Sequence, residues 1–324
     1  MNVHELVDEL YEAFAEGLGS TGAAHARDLP RMLRLAPVAV PWSQVFSHEV
    51  TLGAPALFAE PMGVPSGRVR DAVLAHMLAV VEAFGTDRIE DQQVPATAEL
   101  LGVLARARCE RDRAMERLLG GPPPPELSFA EAEETCARAV RREHVVQREA
   151  RPVDMAGYEA ASLGKQAPGL LASVALARAA GWDARRCSAV RRTLESVALG
   201  LQAYDDVVDW ESDLDRGGSW VVCLMKHVEG AARASSPPSE RQTEGTGVRR
   251  HVLHSGVLSM LMHRSVTHVR AARRRAGALG AASLAAWAKA REARLTALSS
   301  AEASSAGYTV RAHALSAWAG EVLA

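Results

Sequence analysis

Apolar positions recur three and four residues apart along almost the whole chain, in long segments rich in alanine, leucine, arginine and glutamate. Runs that alternate with period two are almost absent. The spacing predicts helices near 3–18, 26–36, 66–92, 95–119, 129–149, 154–180, 184–214, 218–231, 247–276, 279–303 and 309–323, with a further helical segment around 43–60. Gly120-Gly121-Pro122-Pro123-Pro124-Pro125 cannot continue a helix, because proline lacks the N–H donor and fixes φ. Ser128 with Glu131 three residues on predicts a capping box. Gly181 and Asp183 read as a stop and a new N-cap. Residues 235–247 read as a polar loop. No break is long enough for a domain linker and no repeat is visible. The pattern therefore predicts an all-α fold, a single domain over 1–324 built from about ten or more helices.

Composition narrows the class. A chain of 324 residues with 48% hydrophobic and 23% charged content can bury a large core and is not a disordered one. The net charge of −2 gives no basic excess for nucleic acid and no acidic tail. Cys109, Cys136, Cys187 and Cys223 form no close pair, which excludes a disulfide framework and a zinc knuckle. Met1-Asn2-Val3-His4-Glu5 lacks the apolar stretch of a signal peptide, and the longest apolar runs fall short of a membrane span. The expectation is a soluble cytoplasmic protein. Of the 37 basic residues only Lys165, Lys226 and Lys289 are lysines.

The chemistry concentrates between Gln202 and Asp215. Six acids fall within the eleven positions from Asp205 to Asp215, with no base until Arg216. Asp205 and Asp209, four apart, share a helix face at roughly 5–6 Å between Cβ atoms. Gln202, Asp206, Asp209 and Asp213 continue the line at helical spacing. Beside it runs an apolar stripe of Val190, Leu194, Val197, Leu201, Tyr204 and Val208. The acids thus border a buried face, where like charges repel more strongly than in water. A divalent cation reverses that sign, and Mg²⁺ is commonly held by one or two carboxylates together with substrate phosphates. A solvated acidic helix end is the plainer alternative.

Gln202-x-x-Asp205-Asp206-x-x-Asp209 resembles the second aspartate-rich motif of the class I isoprenoid synthases, the superfamily of trans-prenyltransferases and terpene cyclases. Upstream, Gly164-Lys165-Gln166-Ala167-Pro168-Gly169 resembles the lysine–threonine segment of that family, with Gln166 in place of threonine. The similarity runs over residues 155–225, and helix order follows over most of the chain. Pro168 and Gly169 independently interrupt a helical pattern, a local conflict of the kind that gathers at functional sites.

The family's first motif, Asp-Asp-x-x-Asp, has a weaker counterpart in Phe84-Gly85-Thr86-Asp87-Arg88-Ile89-Glu90-Asp91. Aligned directly, Glu90 and Asp91 fill the first two places and Val94 the last. Read as Asp87-x-x-Glu90-Asp91, the first and last acids share a helix face. A polar helix end is again the alternative. The early Gly-Gly-Lys-Arg-Leu-Arg-Pro-like segment and the arginine pair after the first motif, which in condensing enzymes grip isopentenyl diphosphate, have no counterpart. Arg31 and Arg34 are a poor substitute, and Gln92-Gln93-Val94-Pro95 holds no arginine.

The resemblance therefore implies a bundle around a central cavity and a Mg²⁺-dependent, terpene synthase-like enzyme. It would ionise an allylic prenyl diphosphate and cyclise or eliminate the carbocation. Two alternatives remain: a trans-prenyltransferase adding isopentenyl diphosphate, and an inactive prenyl-diphosphate-binding partner subunit. The implied catalytic set is Asp205, Asp206, Asp209 and Lys165, with Lys165, Gln202, Phe84 and Tyr204 binding substrate. More than one Mg²⁺ would be held by Asp205, Asp206 and Asp209 and by Asp87, Glu90 and Asp91. Trp220 is a further aromatic near the motifs. By analogy the chain is expected to form a homodimer. The basic stretch from Gly245 to Arg291, including Arg270, Arg273, Arg274 and Arg275, reads as a charged face rather than a lid. His251 and His254 carry no zinc pattern. Tyr308 and Arg311 are placed to close the site.

Overall fold

A computed structural model describes residues 2–46, 48–234 and 247–303. Among the described residues there are fifteen α-helices and no strand. In order they are α1 (Val3–Glu16), α2 (Gly19–Arg27), α3 (Leu29–Met32), α4 (Trp42–Val45), α5 (Glu49–Met62), α6 (Ser66–Glu90), α7 (Ala98–Leu119), α8 (Phe129–Arg148), α9 (Met155–Lys165), α10 (Leu171–Ala179), α11 (Ala184–Arg216), α12 (Trp220–Ala234), α13 (Val248–His254), α14 (Val257–Leu279) and α15 (Ala282–Ala303). Short 3-10 turns cover Pro125–Leu127 and Ala167–Leu170. No helix is long and apolar enough to cross a membrane.

Local signals start these helices. Asn2, Thr97, Asp154 and Asp183 each accept a hydrogen bond from a backbone N–H of the turn they open. Ser128 is the N-cap residue of α8, but its side chain caps nothing, so the expected capping box does not form. Three long predicted segments are broken. The segment 26–36 becomes α2 and α3, after which Arg34 takes a positive φ of 53°. The segment 154–180 stops at Lys165, where a 3-10 turn carries Pro168. The segment 247–276 divides at Gly256, which sits in the left-handed region. The predicted helix 309–323, residues 235–246 of the predicted loop, Tyr308 and Arg311 lie outside the described residues.

The central helix is α6. Its buried residues, from Val69 through Val81 to Gly85, surround the axis rather than forming one stripe, because helices pack on several sides. One hydrophobic cluster joins α1, α5, α6, α7 and α10. A second joins the C-terminal half of α11 to α9, α12 and α14. Gly200 lets α11 and α14 approach: a Cβ there would lie 2.7 Å from Val269 Cγ2, and Ser265 Oγ donates to Gly200 O at 2.6 Å. That close packing fixes the half of α11 that carries the acidic stripe.

Candidate active site

The C-terminal ends of α6 and α11 line an open cavity of about 530 Å³, with α8 and α9 completing its wall. Phe84, Asp87 and Glu90 come from α6, Asp91 is its C-cap residue, and Gln202, Asp205, Asp206 and Asp209 come from α11. Lys165 ends α9 and reaches the same space, because α9 packs closely on α8. At that contact a Cβ on Gly164 would meet Ala139 Cβ at 2.7 Å. Nearly all the expected site residues therefore line one cavity. Tyr204 does not. One residue along a helix is about 100° of rotation, which turns Tyr204 into the core, under the Arg291 guanidinium at 4.6 Å.

The cavity also gathers residues that no motif marked. Asp213 and Arg216 extend the α11 stripe, and α8 contributes Glu143, His144, Gln147 and Arg148. Arg88 stands beside Asp87 on α6. Asp213 continues the helical spacing of the stripe, so a signal existed for it. The α8 set has only its i, i+4 spacing, which any amphipathic helix shares. Arg88, Arg148 and Arg216 supply cations at the cavity from three separate helices.

The wall is strongly acidic. Eight carboxylates (Asp87, Glu90, Asp91, Glu143, Asp205, Asp206, Asp209 and Asp213) face four Lys or Arg side chains (Arg88, Arg148, Lys165 and Arg216), a formal −8 + 4 = −4 with His144 neutral. Asp205 reaches water in the open cavity but is crowded by protein elsewhere. Burial, then repulsion from Asp209 and Asp213, raises its pKa to about 6. Asp213 is raised to about 6 chiefly by burial. Asp209 and Asp87 are also raised, again chiefly by burial. Asp206 is the most enclosed. Tyr158 OH donates to its Oδ2 at 2.5 Å and Gln202 Nε2 to its Oδ1 at 3.2 Å, yet burial still lifts it to about 8. At Lys165, burial opposes the charge, but the neighbouring carboxylates, Glu143 first and then Asp87 and Asp206, together outweigh it and raise the pKa.

This donor set suits a hard divalent cation. The acids of each wall are destabilised as anions by burial and by their neighbours, and a bound cation removes that penalty. Among the described residues no three such groups converge on one point. An ion here would draw its remaining ligands from water and phosphate oxygens, as Mg²⁺ does.

The raised acids have a measurable sign. A carboxyl titrating at about 6 in the fold and 3.8 when unfolded adds stability below pH 3.8, and this is lost as pH rises through 6. The loss of melting temperature that Asp205 causes between pH 5 and pH 7.5 in metal-free protein should be absent from Asp205→Asn, a difference from wild type of about 2 °C. Calorimetric melting at the two pH values checks this, and an unchanged slope in the variant would count against it.

No protein-family model matches the sequence, and no curated protein is similar to it. Solved structures are similar in fold. A polyprenyl synthetase from Streptomyces coelicolor A3(2) matches 89% of this chain and 96% of its own, at TM-score 0.65 and 14% identity. A heptaprenyl diphosphate synthase from Staphylococcus aureus matches 90% and 98%, at TM-score 0.65 and 10% identity. A polyprenyl synthase from Caulobacter crescentus CB15, complexed with calcium and isoprenyl diphosphate, matches 89% and 96%, at TM-score 0.51 and 18% identity. With its acidic helices placed across one cavity, this chain shares the all-α fold of these polyprenyl and heptaprenyl diphosphate synthases.

Proposed function

We propose that this chain is an enzyme of prenyl diphosphate chemistry, and that it joins an allylic diphosphate to isopentenyl diphosphate. The observation that carries the reading is the acidic α6 wall meeting the acidic α11 wall beside Lys165. The likeness in fold to polyprenyl and heptaprenyl diphosphate synthases supports condensation over cyclisation. The cations of Arg88, Arg148 and Arg216 offer charge that the sequence motifs lack.

Asp205 and Asp209, with Asp87 and Asp91 opposite, would hold Mg²⁺. Bound there, the metal supplies positive charge for the departing diphosphate. Lys165 donates to the phosphate oxygens, and the arginines orient the headgroup through planar, charge-assisted contacts. Phe84 lines the cavity, where its ring would stabilise a cation developing at the reacting carbon. The excess of acids over cations in the wall makes diphosphate binding dependent on divalent metal, since an anion alone meets repulsion.

The second reading is a one-substrate terpene synthase. It is favoured by Gln92-Gln93-Val94-Pro95, which leaves α6 without the following arginine pair. Incubation with geranyl, farnesyl and geranylgeranyl diphosphates, each with and without isopentenyl diphosphate, separates the two. Chain-extended product that requires isopentenyl diphosphate is the expected result. Hydrocarbon or alcohol from the allylic substrate alone establishes the second reading instead.

A further inference from the structure

Lys165 is not free in the cavity wall. Its ammonium lies 2.7 Å from Glu143 Oε2, on α8. Glu143 is almost fully buried, and its other oxygen is held from two sides. Trp220 Nε1 donates to Oε1 at 2.8 Å and Gln147 Nε2 at 3.1 Å. Oε2 meets no other donor, so the ammonium alone compensates it. Trp220 is fixed in turn. It packs edge-on against Tyr158 at 5.6 Å, and Tyr158 carries the hydrogen bond to Asp206. A continuous line of side chains thus runs from Lys165 through Glu143, Trp220 and Tyr158 to the acidic stripe of α11.

We infer that Glu143 is a positioning residue that acts through Lys165, holding the ammonium at the cavity wall so that its remaining N–H groups meet the ligand's phosphate oxygens. The inference rests on the reading of the cavity as a diphosphate site. An ammonium has three donors, and among the described residues Glu143 is the one partner Lys165 Nζ meets within ion-pair distance. Leaving Glu143 for a ligand would strand a buried carboxylate, which is far costlier than sharing the ammonium. Lys165 therefore bridges Glu143 and the anion, rather than exchanging one for the other. A lysine held this way loses little side-chain freedom on binding, which is the benefit of preorganisation.

The chain has three lysines, so each can be followed separately. The test compares wild type, Glu143→Gln and Trp220→Phe in two measurements. One is calorimetric affinity for inorganic pyrophosphate with Mg²⁺. The other is the acetylation rate of each lysine by acetic anhydride, read by mass spectrometry. In the wild type, Lys165 should label about tenfold more slowly than exposed Lys226 and Lys289, and pyrophosphate with Mg²⁺ should slow it further. Glu143→Gln should raise Lys165 labelling about tenfold and weaken pyrophosphate binding about tenfold, leaving Lys226 and Lys289 unchanged. Trp220→Phe keeps the packing on Tyr158 and should shift both readouts the same way by about threefold, which covers the case of a Glu143→Gln chain that does not fold. Pyrophosphate affinity and Lys165 labelling equal to wild type in a folded variant overturn the inference alone. Absence of any Mg²⁺-dependent pyrophosphate binding by the wild type overturns the diphosphate reading, and this inference with it.

Discussion

Asp205→Ala is expected to lower diphosphate release from geranyl, farnesyl and geranylgeranyl diphosphates by about a thousandfold or more, equivalent to ~4 kcal/mol of barrier. The physical reason lies in its surroundings. Asp205 is raised to about 6 by burial and its acidic neighbours and is the more open of the two stripe acids so raised, since Asp213 is paired with Arg216 at 3.1 Å. It is therefore the acid with most to gain from a divalent cation. Asp206 differs, since both its oxygens already accept from Tyr158 and Gln202. Asp215→Ala is the control: this residue is exposed and paired with Arg249 at 2.7 Å, outside the cavity lining. Diphosphate release should be indistinguishable from wild type in the control. Retention of wild-type turnover by Asp205→Ala would remove the basis of the proposed function.

Arg111→Met is expected to destabilise the fold by about 3 kcal/mol, because it leaves the buried Glu82 carboxylate with only the half-exposed Arg108. Arg111 is 1% exposed. Its guanidinium pairs with Glu133, lies 3.5 Å from Glu82 Oε2 and 2.8 Å from Asp112, and sits 4.2 Å above the Phe129 ring. Glu82 is itself 5% exposed and also pairs with Arg108. The cluster ties α6 to α7 and α8 just before the acids of α6. Urea unfolding should show a lower midpoint for Arg111→Met, and the added change Glu82→Leu should recover much of the loss, since an apolar pair carries no stranded charge. Equal stability of wild type and Arg111→Met would mean that the buried Glu82 needs no cation beyond Arg108.

The fold was largely legible because a helix announces itself locally. Spacing of apolar residues located most of the long helices, and Thr97, Asp154 and Asp183 cap as their residue types allow. Ser128 has the right residue type and position but no capping bond, because a cap needs a rotamer as well as a side chain. The broken segments at Lys165 and Gly256 show a related limit, since periodicity continues through a short turn that proline or glycine introduces.

The site divides along the same line. Sequence by itself determined the helical class, the α11 stripe and the lysine beside a proline kink, because those signals lie within one helix or one turn. It also carried the reading of Asp87, Glu90 and Asp91 as a unit, and the structure places all three in the cavity wall at the end of α6. Only the tertiary structure decided which acids face which. It turned Tyr204 away from the cavity, enclosed Asp206 behind Asp205, and brought Glu143, Trp220 and Tyr158 around Lys165. The reason is distance along the chain: Glu143 and Trp220 are 77 residues apart and Tyr158 and Asp206 are 48 apart. No periodicity links positions so far separated, so their meeting depends on how closely glycine and alanine let the helices pack.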